Sequence, residues 1–130
     1  MKKQMGFKIE QRDDLCILRI SGRLASGADS EYMGTKAQEV KNLGCRKLIA
    51  DISELDSIGS AGIGFFVGLH TSATKNGGCF VLVSPSPRVL EVLTLTGLST
   101  VFAIAPDLAA GLALCALDAT RVRPAGSYFG

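Results

Sequence analysis

Polar and apolar residues alternate over residues 7–12 and again over 15–21, which predicts two short strands joined by a turn at Asp13-Asp14. In the second, Cys16, Leu18 and Ile20 share one face and point inward, while Arg19 points away. Residues 22–27 read as a loop, and a helix over about 29–43 is stopped by Gly44. Residues 47–52 form a compact apolar run that ends in polar turn residues, as a buried third strand would. Ile63, Phe66, Val67, His70 and Thr74 then recur at helical spacing, so a second helix starts near Ser60 and ends at Asn76-Gly77-Gly78. The wholly apolar run of residues 79–83 predicts a fourth strand covered on both faces. Ser86-Pro87 opens a third helix with a capping serine and a proline at its first position, and Gly97 stops it. A last strand at 101–103 precedes an apolar helix over 108–117, capped by Pro106-Asp107. The order ββαβαβαβα implies an α/β fold: a mixed, mostly parallel five-stranded sheet packed with four helices. Residues 1–118 form one domain in this reading, and residues 119–130, which lose all periodicity, are a flexible tail.

Composition narrows the function classes. The chain has 130 residues, 47% of them hydrophobic and 20% charged, enough for a single core. Its formal charge of +2 is spread without a basic block, which argues against a nucleic-acid partner. The first dozen residues lack the apolar core of a signal peptide, and the longest apolar stretch, 108–117, covers about half of the ~20 residues a spanning helix needs. A cytoplasmic protein with no membrane partner is expected. Cys16, Cys45, Cys79 and Cys115 are far apart and form no C-x-x-C, so neither zinc nor a redox motif is suggested. Their even number permits two disulfides, but a core-rich domain without a secretory signal favours reduced thiols.

Chemistry concentrates at Ser60. At or near the first turn of the second helix, its hydroxyl lies among backbone N–H groups that lack intrahelical partners and carry partial positive charge. Two readings compete there: a helix cap, and a phosphate acceptor that would gain roughly −1.5 to −2 charge. Catalysis has little support. His70 falls on the apolar stripe, as a hydrogen-bonded core histidine would; Ile58 stands where a G-x-S-x-G nucleophile needs glycine; no P-loop Lys-Ser or Lys-Thr pair follows the glycines. The expectation is a non-enzyme without cofactor or metal. Phe65 and Leu69, four residues apart on the flank of the stripe, are either covered by a neighbouring helix or an exposed patch beside the serine.

Ile49-Ala50-Asp51-Ile52, the run Ser60-Ala61-Gly62-Ile63-Gly64, the turn Lys75-Asn76-Gly77-Gly78, Ser86-Pro87 and Thr96-Gly97-Leu98 together resemble the STAS domain of bacterial anti-sigma factor antagonists, over roughly residues 7–118. That resemblance implies a first strand antiparallel to the rest and no catalytic activity. It implies binding to an anti-sigma factor, often a serine kinase of the histidine-kinase-like ATPase class, with release of a sigma factor and so transcription regulation by partner switching. The kinase phosphorylates a serine at the start of the second helix, and a Ser/Thr phosphatase reverses the modification. Carried over by position, the phosphoacceptor is Ser60; the partner surface expected around it is the Ser60 end of the helix and the adjoining loops, Ser57, Ile58, Gly59, Ser60, Ala61, Gly62, Arg23 and Ala25, joined by the apolar pair Phe65 and Leu69. The chain departs from the family pattern at Gly59 and Ala25, where aspartates are expected, and at Ala61. A phosphorylation-independent scaffold, or a regulatory subunit of a multiprotein or transporter complex, is the alternative. Self-association into a homodimer stays open.

Overall fold

The computed structural model describes residues 6–24 and 30–120. Strands β1 (Gly6–Arg12) and β2 (Leu15–Leu24) are followed by helix α1 (Ser30–Leu43) and strand β3 (Lys47–Ile58). Helix α2 (Ser60–Lys75), strand β4 (Cys79–Val83) and helix α3 (Pro87–Leu95) come next. A short 3-10 turn (Leu98–Thr100), strand β5 (Ala103–Ala105) and helix α4 (Leu108–Thr120) complete the order. The sheet runs β1-β2-β3-β4-β5, with β1 antiparallel to β2 and the remaining neighbours parallel. This is the α/β architecture expected from the alternation of strands and helices.

Strand alternation sorts the core into two layers. Cys16, Leu18 and Ile20 of β2, Leu48, Ala50 and Ile52 of β3, and Phe80 and Leu82 of β4 face one way, against Met33 and Val40 of α1, Phe66 and Leu69 of α2, and Val89 and Leu93 of α3. Ile49, Val81, Val83 and Ala105 face the other way and meet α4 through Leu108, Leu112 and Cys115. Both faces of β4 are therefore buried, as its unbroken apolar run predicts. Gly111 makes the α4 contact close: a Cβ there would collide with the Val83 side chain. Helices α3 and α4 are capped as expected, the N–H of Val89 donating to Ser86 Oγ (3.2 Å) and that of Ala110 to Asp107 Oδ1 (2.8 Å).

Four boundaries differ from the sequence reading. Strand β2 runs on to Leu24 instead of entering a loop at Gly22, and β3 continues six residues beyond Ile52. The polar run Ser53-Glu54-Leu55-Asp56-Ser57 looks like a turn because its buried residues, Ile52, Leu55 and Ile58, are three apart instead of two. Pairing explains the spacing. Arg19 lies opposite Asp51 but Ser21 opposite Glu54, and Gly22 opposite Leu55 but Arg23 opposite Ser57, so β3 gains one extra residue at each of two irregularities. Each insertion flips the alternation and returns the next apolar residue to the core face. The last strand lies two residues later than expected, because residues 98–100 form a helical turn that sets Phe102 in the core. Helix α4 extends to Thr120, so the first two residues assigned to the tail are helical; residues 121–130 lie outside the described residues, as does Ala25.

The thiols are not reduced as expected: Cys16 joins Cys45, and Cys79 joins Cys115. One bridge ties β2 to the turn before β3, and the other ties β4 to α4. Folding brings together residues 29 and 36 positions apart, a proximity their spacing does not disclose. At the turn after β1, Asp13 adopts a positive φ of 53°, and Asp14 accepts from the backbone N–H and the Nε of Arg46, both at 3.0 Å. The backbone bond first, then the guanidinium, holds the Asp14 carboxyl below the usual range.

Candidate functional site at the start of helix α2

Strand β3 delivers the chain to Gly59, whose extended backbone (φ −121°, ψ −166°) caps α2 while its carbonyl accepts the N–H of Ile63 at 2.9 Å. Glycine brings no side chain to that cap, and Ser60 is the first helical residue instead of the capping one. The cap reading of Ser60 is therefore corrected. Its hydroxyl is left exposed on the helix's first turn, where no acidic side chain offsets the positive end of the dipole. Since no cap bond depends on it, Ser60→Ala should change stability by less than about 0.5 kcal/mol, read as an unchanged midpoint in urea. A loss near the ~1 kcal/mol typical of a cap would show that the hydroxyl bonds the helix terminus after all.

Around this serine the structure separates the expected contact residues into two groups. Arg23 is exposed and sits opposite Ser57 in the β2–β3 ladder, so it reaches the same end of the sheet; Ser57, Gly59 and Ala61 are half-buried. Ile58, Gly62, Phe65 and Leu69 are buried. Phe65 is 8% exposed, with its ring set edge-on to Phe7 at 5.6 Å, and Leu69 is 1% exposed. Neither forms a surface patch, because α1 packs beside α2 and covers that flank. The whole buried stripe (Gly62, Phe65, Phe66, Leu69, Ala73) stands one residue earlier than the periodicity suggests. Helix α2 is apolar on most sides, so its period fixes the helix but not its rotation.

That rotation turns other residues outward. Val67 is 39% exposed, and Gly64, Gly68 and Thr71 are also exposed on the helix whose first residue is Ser60. A shallow groove of about 260 Å³ runs between α1 and α2, lined by Ala37, Lys41, Ala61, Gly64 and Gly68 among others. Sequence reasoning missed Val67 by placing it in the core; its neighbours Gly64 and Gly68 were the available signal, since two glycines four apart leave one side of a helix without bulk. His70 is half-buried, its ring edge-on to Phe102 (5.6 Å) and Phe80 (6.4 Å), an aromatic packing role. Among the described residues no group of three or more His, Cys, Asp or Glu is arranged to hold a metal, and no helix is long and apolar enough to cross a membrane.

Comparison with known proteins places this geometry. The family model described as "STAS domain" matches residues 7–111. A Thermotoga maritima protein named for anti-sigma factor antagonism is 38% identical over 66 residues, 51% of this chain and 58% of the relative, so the match spans little more than half of that protein's length. A crystal structure of a Thermotoga maritima protein named for the same role superposes with a TM-score of 0.75 at 27% identity, over 85% of this chain and 94% of the other. The Bacillus cell fate determinant SpoIIAA in its phosphorylated form shares the fold, with a TM-score of 0.63 at 22% identity over 84% and 99%.

Proposed function

Because the chain belongs to the STAS domain family, whose solved neighbours include anti-sigma factor antagonists, we propose that it binds an anti-sigma factor through the exposed start of α2 and releases it when Ser60 is phosphorylated. Proteins of this family are typically non-enzymatic regulators. The observation that carries the reading is Ser60 itself: exposed, first in its helix, bound to no cap, and next to N–H groups without intrahelical partners. A serine kinase in the partner would transfer the γ-phosphoryl group of ATP to the Ser60 Oγ, with ADP leaving and the hydroxyl proton passing to the kinase's base. A Ser/Thr phosphatase would return the free hydroxyl. The phosphate's near-dianion can be received by the helix terminus within this domain, while a partner packed over the same turn would have to desolvate it. Each ~1.4 kcal/mol of mismatch is tenfold in affinity. Arg23, Ser57, Gly59, Ala61 and Val67 complete the contact surface in place of the buried residues. SpoIIAA, a relative in fold, has been seen in phosphorylated form.

Incubation with the cognate kinase and ATP should place one phosphate on Ser60, located by peptide mass spectrometry. Ser60→Asp should weaken partner binding, and Ser60→Ala should bind persistently in the presence of ATP. Val67→Lys should weaken binding at least tenfold while leaving the melting temperature nearly unchanged. Equal affinity for the unmodified protein, the phosphoprotein and the Asp variant would remove the switch. It would leave the scaffold reading, which Gly59 and Ala25 favour because neither supplies the carboxylate that the family pattern sets near the acceptor.

A further inference from the structure

Strand β1 ends the sheet, with β2 on one side and, among the described residues, no strand on the other. It is seven residues long and contains no proline, and its outer edge has no ladder partner among the described residues. One of its faces packs on the core through Phe7 and Ile9; the other carries Lys8, Glu10 and Arg12. Glu10 accepts from Arg12 (2.8 Å) and Arg19 (3.1 Å), and Arg19 reaches Asp51 at 3.8 Å, whereas Lys8 has no ion-pair partner among the described residues. We propose that β1 pairs antiparallel with β1 of a second copy about a two-fold axis at Ile9, joining two domains into one continuous sheet.

Register selects this arrangement. A two-fold axis normal to the sheet must pass through a residue, so that opposed side chains lie on the same face. Centred on Ile9, all seven residues pair: Gly6 with Arg12, Phe7 with Gln11, Lys8 with Glu10, and Ile9 with itself. Both Lys8–Glu10 crossings are then attractive, and the lysine without a partner gains one. Centred on Lys8, the lysines oppose each other. Centred on Glu10, the two glutamates meet and each Lys8 faces an Arg12. The register with the fullest pairing is thus the one whose opposed charges are complementary, and like charges directly across a ladder are destabilising. The reversed strand direction also points the two Ser60 ends in opposite directions, so each stays open.

Sedimentation equilibrium of the full chain over a concentration series is expected to show a reversible monomer–dimer equilibrium that weakens with added salt. Lys8→Glu and Glu10→Lys should each raise the dimer dissociation constant about tenfold or more, since each sets like charges across both crossings. Mixing the two variants should restore dimerisation as a one-to-one heterodimer, because the two carboxylates on one variant's strand then face the two ammonium groups on the other's. Circular dichroism confirms that each variant is folded. Wild-type protein that stays monomeric at every concentration would overturn the proposal and leave the charges on β1 as guards of a free edge. Dimers that both variants leave undiminished, or a mixture that fails to recover, would overturn it as well.

Discussion

Leu69→Lys is expected to remove a large share of the domain's stability. Leu69 is 1% exposed between the sheet and the neighbouring helices, where a lysine must either bury an unpaired ammonium or push α2 off the sheet. Losing the leucine alone costs about 2–5 kcal/mol, and the stranded charge adds to it, so the total exceeds about 4 kcal/mol. Domains of this size have only about 5–15 kcal/mol of stability to lose. Far-ultraviolet circular dichroism and urea titration check the outcome, with Val67→Lys as the matched control two residues away on the exposed side. A folded Leu69→Lys protein with an ordinary midpoint would mean that the face of α2 assigned to the core is open to solvent.

Reducing both disulfides is expected to lower the melting temperature by roughly 20–30 °C. On the chain-entropy account, closing loops of 29 and 36 residues stabilises the folded state by about 3.5 kcal/mol each, through the unfolded chain. A domain of this length shifts by a few degrees per kcal/mol. All four cysteines are at most 8% exposed, so a dithiol should react slowly with the folded protein and rapidly in denaturant. Paired substitutions apportion the effect: Cys16→Ser with Cys45→Ser loosens the turn before β3, and Cys79→Ser with Cys115→Ser frees α4. Four titratable thiols in protein unfolded without reductant, together with identical melting curves with and without dithiol, would show that the bridges do not form.

Where a segment is read by period alone, its contrast with its surroundings decides how well it can be placed. β4 was legible to the residue because five apolar positions stand between a Gly-Gly turn and Ser84. Helices α3 and α4 were legible from their caps, Ser86 and Asp107, whose short oxygens bond the first turn as expected. The helical state of α2 was equally plain, yet its rotation was not. A helix with phenylalanine at both 65 and 66 and valine at 67 offers several stripes of nearly equal hydrophobicity, and only the presence of α1 picks one. Periodicity therefore sets Val67 in the core and leaves Phe65 and Leu69 undecided between core and surface, whereas the structure turns Val67 outward and buries the other two. The cysteine pairing was hidden for a different reason: it depends on the α1–β3 connection and on the depth at which α4 docks, neither of which leaves a trace in spacing.

The overhanging part of β3 reverses the usual expectation for a polar, solvent-facing segment. Such stretches ordinarily tolerate changes in length better than changes in a buried side chain. Between Asp51 and Ile58 the opposite holds, because two surplus residues set the parity with which Leu55 and Ile58 return to the core. Ser53 and Glu54 are exposed and can vary in kind. Deleting either would invert everything downstream, turning Ile58 toward water and swinging the serine that follows it away from its place at the sheet's end. At Ser53 and Glu54 the letters are free to change while their number is fixed.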